Sequence, residues 1–421
     1  MIRAVTTVGI RKEMIQRISA LILILMLVGN AHAKDKPLLT YHWHGGYSPY
    51  KEVRVTISKA GAVLVTGQKQ GLPLIDYRTE LSPEELGALK TLIQSTEFFS
   101  QPERDTDFAI DVGETELTIL LKGQSKSLTY HSRPSLEPLE NPIWKLITQA
   151  SAIQAIECDG DIYSAVGTVI PTHAGMKALQ PDRLKVPLMQ YVRDHDKRQK
   201  VQWALEALAW ITTPEEFSGF ISLGLEEETQ RKTLLSIIGT HPFYGNIPES
   251  HLRSLCPIYL RFVRDAHPRI GELSEIEKKA LSAFTRLLGF TRYGPSIPML
   301  KGWFEQHDQS YITTLLTPLA KMGVASLDAL TPYLESPEEH HRINALELLT
   351  IASRLGPHGG FANPLSDYEY KRMVPVFTNT VIPRLRALSV NDPSDKVKRK
   401  ARDALEEIQK QIDKEGIPTN N

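Results

Sequence analysis

The most informative segment of the chain lies near its C-terminus and reads Asn391-Asp392-Pro393-Ser394-Asp395-Lys396-Val397-Lys398-Arg399-Lys400-Ala401-Arg402-Asp403-Ala404-Leu405. An Asp-Pro turn precedes a helix whose small and apolar residues recur at three- and four-residue spacing, from Val397 through Ala401 to Ala404. One such helix cannot bury its apolar stripe alone, so it must pack against neighbouring helices. The segment therefore predicts one helix of a multi-helix assembly.

Similar spacings of small and apolar residues recur upstream, and strand patterns almost disappear after residue 183. The copies begin at Ala204, Ala280 and Ala345, and less regular copies begin at Thr233 and Tyr311. Proline opens several helices that precede these copies, at Pro298, Pro332 and Pro383, and more loosely at Pro187 and Pro257. Some separations are about 30–45 residues, the range of two-helix repeats. Residues 183–421 are therefore predicted to form paired helices.

The segment at 391–405 resembles the HEAT repeat consensus, in which an Asp-Pro turn leads into a helix with Val, then small residues, then Ala-Leu. Residues 184–211 and 327–352 resemble it with departures, because the Val position holds Lys200 and His341. The resemblance implies a solenoid of stacked helical pairs whose concave face binds another protein. A globular all-helical domain is the alternative, since the spacing is irregular.

The region at 34–157 has a mixed pattern of strands and helices. Residues alternate between apolar and polar at 52–57 and 63–66, and strand-like segments follow at 116–121 and 127–130. One helix is predicted to begin after Ser82 and another near Asn141. The order is hairpin, helix, hairpin, helix, and it predicts an α+β domain. It resembles a small domain of unknown function found in many exported bacterial proteins, a resemblance that implies no chemistry.

Residues 158–182 are rich in aspartate, glycine and proline and contain few periodic apolar residues. Such composition favours turns over helices and strands. We therefore expect this segment to be the linker between the α+β domain and the helical array.

The N-terminus carries the features of a secretory signal peptide over residues 1–33. Arg11, Lys12 and Arg17 precede an apolar run at 18–28, and Ala31 and Ala33 match the small-x-small rule for cleavage. The run is shorter than the ~20 residues that a membrane span needs, although an uncleaved anchor is the alternative. Cleavage after Ala33 predicts a periplasmic or secreted protein with no stable membrane span. Met14 begins a tidier signal than Met1, so either is a candidate start.

Composition excludes several classes of function. The chain has 421 residues, 41% hydrophobic and 23% charged, with 49 basic and 49 acidic residues. These values exclude a largely disordered chain and a polytopic membrane protein, and zero formal charge provides no field for recruiting nucleic acid. Two cysteines are too few for a disulfide scaffold or a four-cysteine zinc site. No nucleotide-binding or hydrolase motif is present. We predict no enzyme, and no catalytic, cofactor-binding or metal-binding residues.

Several polar clusters have both a functional and a structural interpretation. His42-Trp43-His44 could supply two metal ligands, but no third ligand is apparent, which favours a strand or arm at the domain edge. Asp105, Asp107 and Asp111 are spaced like a fragment of a calcium loop without its glycine and terminal glutamate, which favours a polar turn. Asp159-Gly160-Asp161 is interpreted the same way. His340-His341 begins a helix and is expected to be solvated.

A basic run is the strongest charge feature, with the residues Lys396, Lys398, Arg399, Lys400 and Arg402 and, upstream, Arg384 and Arg386. It could bind an anionic partner, but a solvated cap at the end of the array is favoured. Trp203, Trp210 and Trp303 could anchor a partner, although a core position is more usual for tryptophan on a helix.

Cys158 and Cys256 could form a disulfide in an oxidising compartment, although two separate buried thiols are favoured.

These patterns predict an exported, non-catalytic scaffold or adaptor. It would bind a protein partner in the cell envelope through the concave face of the array. The alternative is an enzyme, or a binder of a small ligand or envelope polymer, with its site in the N-terminal domain or an interdomain cleft.

Overall fold

The computed structural model describes residues 36–45, 49–104, 113–173, 175–238, 245–306, 317–356 and 365–414. The predicted signal peptide at 1–33 and the three aspartates at 105, 107 and 111 lie outside these residues. The chain divides into two compact units, Met1–Tyr191 and Val192–Asn421. Among the described helices, none combines the length and the apolar character needed to cross a bilayer.

The first unit contains a six-stranded antiparallel sheet in the order β4-β3-β2-β1-β5-β6. Its strands are β1 Leu39–His44, β2 Tyr50–Ile57, β3 Ala62–Lys69, β4 Leu74–Glu80, β5 Glu114–Leu121 and β6 Gln124–Tyr130. Both predicted hairpins are present, as β2–β3 and β5–β6. The α+β class of this region is therefore confirmed.

The sheet contains two further strands, β1 and β4, besides the two predicted hairpins. The prediction that His42-Trp43-His44 lies at the domain edge is wrong. These residues belong to β1, which pairs with β2 on one side and β5 on the other. Leu39 lies opposite Ile57 in one ladder and opposite Ile119 in the other. The neighbours of a strand depend on residues that are distant in sequence, so the local pattern does not contain this information.

One face of the sheet forms the core of the first unit with helices α1 Pro83–Ser95 and α2 Glu137–Glu157. Alternate residues of the strands, such as Tyr41, Val55 and Leu117, are fully buried. The predicted start of α1 is confirmed, because Ser82 caps the helix and forms a capping box with Glu85. Helix α2 begins at Glu137, earlier than predicted, and continues through Pro142.

Residues 158–182 belong to the first unit and include a helix, α3 Ile162–Gly167. Its residues Ile162 and Val166 are buried, and the helix packs against α2. The division between the units falls after Tyr191, inside helix α4 Lys185–Asp194, and not in the expected linker. Glycine and proline mark breaks in helices, whereas the limits of a unit depend on which apolar side chains are buried together.

The second unit is mostly helical, as predicted, and its described residues contain no strand. Its helices are α5 Arg198–Ile211, α6 Pro214–Glu226, α7 Glu228–Ile238, α8 Glu249–Ala266, α9 Glu275–Phe290, α10 Ile297–Gln306, α11 Thr317–Ala320, α12 Val324–Leu330, α13 Glu339–Ser353, α14 Asp367–Val376, α15 Ile382–Asn391 and α16 Asp395–Lys414. Pro298 and Pro383 lie at the starts of α10 and α15, as expected. Pro257 instead lies inside α8.

Helix contacts in this unit follow the order of the chain. Helices α5, α7, α9, α11, α13 and α16 contact one another in succession, and we call this series the Ala-Leu row. The predicted Ala-Leu segments lie in α5, α9, α13 and α16. Their alanines are no more than 1% exposed, at positions Ala204, Ala280, Ala345 and Ala401. Small side chains at these positions allow neighbouring helices to approach closely.

Candidate functional site

The Asp-Pro turn of the 391–405 segment contains a buried ion pair. Arg342 Nε of α13 lies 2.8 Å from Asp392 Oδ2, and the two side chains are 8% and 2% exposed. A second nitrogen, Arg342 Nη2, donates to Asp392 Oδ1 at 3.1 Å, and the backbone N–H of Ser394 donates to the same oxygen. The turn therefore joins α13 to the start of α16. Its aspartate has a structural role, because all of these contacts fix one helix against another.

The basic run does not form a single free patch. Lys400 Nζ lies 2.6 Å from Glu347 Oε1, and Arg384 Nε lies 3.2 Å from Glu335 Oε1. Lys398 pairs more loosely with Asp395. The remaining members of the run are at positions Arg386, Lys396, Arg399 and Arg402, and they are exposed. Part of the charge that the sequence offers to a partner is thus neutralised within the fold.

Helices α13 and α16 of the Ala-Leu row enclose an open groove of about 810 Å³. Side chains at three- and four-residue spacing on each helix line it, among them Glu347 and Arg354 on one wall and Lys400 and Glu407 on the other. Apolar groups such as Ile351 are interspersed. We call this feature the α13–α16 groove. It combines apolar and charged surface, as partner-binding surfaces do.

Two ion pairs connect the walls of the groove. Besides Lys400 and Glu347, Arg354 Nε lies 2.8 Å from Glu407 Oε1, which also accepts a hydrogen bond from Gln411 Nε2 at 2.8 Å. These hydrogen bonds hold the pKa of Glu407 below its usual value, and the one from Arg354 has the largest effect. Glu407 therefore stays ionised in mildly acidic solution.

The groove is acidic as a whole, because four carboxylates and two basic side chains line it: Glu347, Asp403, Glu406, Glu407, Arg354 and Lys400. Both basic groups are paired with carboxylates. Asp403 and Glu406 lie on the exposed side of α16. The electrostatics therefore favour a ligand with positive charge and some apolar surface.

The first unit contains a second concave feature, a pocket of about 550 Å³ between α2 and α3. Tyr50 OH lies 2.9 Å from Ser151 Oγ, and Lys69 Nζ lies 5.7 Å from the centre of the Tyr50 ring. Burial raises the pKa of the Tyr50 hydroxyl, which therefore stays protonated. On the other side, the rings of Tyr163 and His173 lie 5.5 Å apart. We call this feature the α2–α3 pocket, lined by hydroxyl groups and aromatic rings.

Lys177 fixes the chain beside this pocket. Its Nζ donates to the carbonyl oxygens of Gly167, Ile170 and His173 at 2.7–2.8 Å. Nothing in the local composition of residues 158–182 indicates this arrangement, since glycine and proline there are typical of a linker. The sequence signal for α3 is the pair of apolar residues Ile162 and Val166 at four-residue spacing, which indicates a helix face. Both residues are buried.

The remaining histidine motif is only partly solvated. His340 is exposed, as expected. His341 instead lies with Nδ1 3.0 Å from Ser336 Oγ and Nε2 3.0 Å from the carbonyl oxygen of Glu305. The expectation of solvation is therefore wrong for His341. It serves to hold two helical segments together.

The three tryptophans of the second unit occupy different environments. Trp303 is buried and stacks on His267 with 3.8 Å between ring centres, so the core position predicted for it is confirmed. Trp203 is half-buried. Trp210 is exposed, and its Nε1 donates to the carbonyl oxygen of Asn246 at 3.1 Å. The core assignment is wrong for Trp210.

Both cysteines are free thiols, and no disulfide joins them in this structure. Cys158 is exposed, so the expectation that both thiols are buried is wrong for this residue. Cys256 is buried, with Sγ 3.0 Å from Thr291 Oγ1, and burial raises the pKa of its thiol. A raised thiol pKa makes Cys256 a packing residue and a poor nucleophile.

Comparison with known proteins does not assign the chain to a family. No family model and no curated protein matches it. Among solved structures, the crystal structure of an engineered protein from the Northeast Structural Genomics Consortium aligns at 12% identity. The alignment covers 66% of this chain and 91% of the engineered one, with a TM-score of 0.19. A likeness at this level supports no statement about fold or function.

Proposed function

We propose that this protein is an exported, non-catalytic scaffold or adaptor of the cell envelope, periplasmic or secreted. In this proposal the second unit is a HEAT-like solenoid, and the Ala-Leu row lines the concave face that binds another protein. The α13–α16 groove is the part of that face that we assign to the partner.

The succession of contacts along the Ala-Leu row supports the proposal. Each helix of the row contacts the next one, and the helices that carry the repeated alanines belong to the same row. In solenoids, equivalent helices of successive repeats form one continuous wall. A globular bundle would instead bring helices that are distant in the chain around a common centre.

The chemistry of the groove supports a protein segment with basic residues as the ligand. Asp403 and Glu406 lie on exposed turns of α16, whereas Glu347 and Glu407 are held by internal ion pairs. The first two carboxylates are therefore available to lysine or arginine of a partner. Apolar side chains such as Ile351 supply contact area between the charges.

Site-specific photocross-linking in cells tests this assignment. A photoreactive residue at Asp403 should capture a protein partner, and the same residue at Asp328 on α12, outside the row, should not. Charge reversal of Asp403 and Glu406 to lysine should reduce recovery of that partner at least tenfold, because like charges then oppose each other.

The matched control reverses two exposed acidic residues outside the row, Asp328 and Glu215. It changes the net charge of the protein by the same amount and should leave recovery unchanged. Equal loss of the partner in both variants would show that net charge is responsible, and would contradict the role of the groove.

Export is tested by mass spectrometry of the purified native protein. The mature chain should begin at Lys34, because the predicted cleavage follows Ala33. A chain that begins at Met1 or Met14 would contradict the proposed cleavage.

A second candidate function is supported by the α2–α3 pocket. Its volume of about 550 Å³ falls in the range of small-molecule sites, and its hydroxyl groups and tyrosine rings suit a polar ligand such as a segment of an envelope polysaccharide. Native mass spectrometry of protein purified from cells should then detect a bound small molecule. Substitution of Tyr163 by alanine should release it, whereas alanine at the exposed Tyr368 of the second unit should not.

A further inference from the structure

His42 and His44 lie on the same face of the central strand β1. They are two residues apart, so their side chains project to the side opposite the buried Tyr41 and Trp43. The two imidazole rings are 5.3 Å apart between centres, and the side chains are 20% and 42% exposed. A close pair of accessible imidazoles is therefore built into a strand that is paired on both sides.

The register of the sheet places carboxylates beside both imidazoles. Glu116 of β5 lies opposite His42, and its Oε2 is 3.6 Å from His42 Nδ1. Glu114 lies opposite His44, with Oε2 3.3 Å from His44 Nε2. On the other side of β1, strand β2 places Glu52 opposite His44. The sequence shows two histidines without a further ligand beside them, and the pairing of β1 with β5 supplies the missing acidic groups.

The cluster favours a cation. It contains three carboxylates, and the basic group that strand pairing places opposite it is Arg54, across from His42. One nitrogen of each imidazole faces a carboxylate, which leaves Nε2 of His42 and Nδ1 of His44 for a ligand. In metal-binding histidines the second ring nitrogen donates to a carboxylate that orients the ring. At 3.6 and 3.3 Å, Glu116 and Glu114 lie close enough to the two rings to take this role.

We propose that His42 and His44 together bind one divalent transition-metal ion of the imidazole-preferring class, Zn²⁺ or Cu²⁺. Glu114 and Glu116 orient the two rings and balance the charge of the ion. This site shares no residue with the groove and the pocket described above, and it does not depend on the function proposed for them.

The distance between the rings fits such a site. With metal–nitrogen bonds of about 2.0–2.1 Å and a tetrahedral angle, two imidazoles on one ion have centres about 5 Å apart. The described residues contain no group of three or more ligating side chains arranged around an ion. In the proposed site the two imidazoles are the protein ligands, and water completes the coordination. An ion with open positions exchanges readily and is bound less tightly than in a closed site.

Metal titration of the full mature chain, free of any affinity tag and stripped with chelator, tests the proposal. Zn²⁺ should bind at one equivalent per chain, measured by calorimetry. His42→Asn and His44→Asn should each weaken binding at least tenfold, and the double variant should lose this equivalent. Glu116→Gln should weaken binding about tenfold or more, because the carboxylate acts on the orientation of the ring and is not itself a ligand.

Electron paramagnetic resonance with Cu²⁺ identifies the ligands directly. The wild-type spectrum should show coupling to two imidazole nitrogens, and each single variant should show one. His340→Asn is the control, because His340 is an exposed histidine of the other unit, and it should behave as wild type. Circular dichroism verifies that each variant folds. If the double variant does not fold, the result for His44→Asn decides the test, because the side chain of His44 is more exposed than that of His42. Unchanged binding in that variant, or a spectrum without two nitrogens, would overturn the proposal.

Discussion

The two units of this protein reach stability through contacts of different range. In the first unit, β1 joins Leu39 to Ile119, so segments far apart in the chain must come together before the sheet exists. In the second unit, each helix of the Ala-Leu row contacts the next helix of the row, as α13 does with α11 and α16. We therefore expect a destabilising substitution in the sheet to loosen all of its strands. In the second unit, we expect a destabilising substitution to loosen only the altered helix and the helices near it.

The buried ion pair of the second unit provides the strongest test of this difference. Arg342→Met leaves the carboxylate of Asp392 buried without its partner, and we expect the free energy of unfolding to fall by about 3–5 kcal/mol. Hydrogen exchange should increase in α13, α15 and α16 and stay unchanged in the sheet. Arg342→Met combined with Asp392→Asn should recover part of the loss, because neither charge is then left alone.

The matched control for this prediction is Arg354→Met in the α13–α16 groove. Arg354 and Glu407 also form an ion pair at 2.8 Å, but their side chains are 43% and 20% exposed. Solvent screening limits such a pair to about 0–1 kcal/mol. Equal losses for the two arginines in denaturant unfolding would show that burial is not the cause of the difference.

Core truncations of equal size compare the two units directly. Leu117 of β5 and Leu349 of α13 are both fully buried, and alanine at either position should lower stability by about 2–5 kcal/mol. Leu117→Ala should increase hydrogen exchange in all the strands, whereas Leu349→Ala should act on α13 and the helices that contact it. A uniform increase throughout the second unit after Leu349→Ala would contradict the solenoid and favour a globular bundle.

Close packing between helices of the row is tested at Gly289. A Cβ atom at this position would lie 2.4 Å from Pro318 Cα, because α9 and α11 approach closely there. Gly289→Ala should therefore cost about 1–3 kcal/mol. At Gly302 in α10, an added Cβ atom would meet no heavy atom within 4 Å, so Gly302→Ala should stabilise the protein by about 0.5–1 kcal/mol. Thermal unfolding of both variants should give shifts of opposite sign.

The smallest expected effect depends on pH and involves Glu206 of α5. This residue is 2% exposed, and its carboxylate accepts hydrogen bonds from Gln202 Nε2 at 2.8 Å and Asn246 Nδ2 at 3.0 Å. Burial is the main cause that raises the pKa of Glu206, with both hydrogen bonds opposing it. The folded state therefore favours the protonated carboxyl, and this contribution is present in acid and is lost as the pH rises through the folded pKa.

Glu206→Gln removes this titration while nearly preserving the shape of the side chain. Relative to wild type, the variant should gain stability as the pH rises from about 4 to about 7 in urea unfolding. The exposed Glu215→Gln is the control for the loss of one carboxylate elsewhere in the second unit. A constant difference between Glu206→Gln and wild type at all pH values would mean that the carboxyl titrates alike in the folded and unfolded chain.

Local patterns are sufficient for the elements whose stabilising signals are short-range. The start of α1 follows from the capping residues Ser82 and Glu85, and several helices of the second unit follow from repeated alanine and leucine. The predictions from sequence that are wrong involve long-range contacts. The central position of β1 escapes prediction because its partners Val53 and Thr115 lie outside its local pattern. The sequence pattern does not predict helix α3, because glycines surround its short apolar face.

The sequence by itself determined the classes of the two units and the buried alanines of the row, since helix and strand periodicities are encoded by neighbouring residues. Only the tertiary structure decided which charged groups meet. Asp392 holds Arg342, Lys400 pairs with Glu347, and Glu116 lies beside His42. Ion pairs and ligand sets depend on distances of a few ångströms between separate elements, and no local spacing specifies those distances.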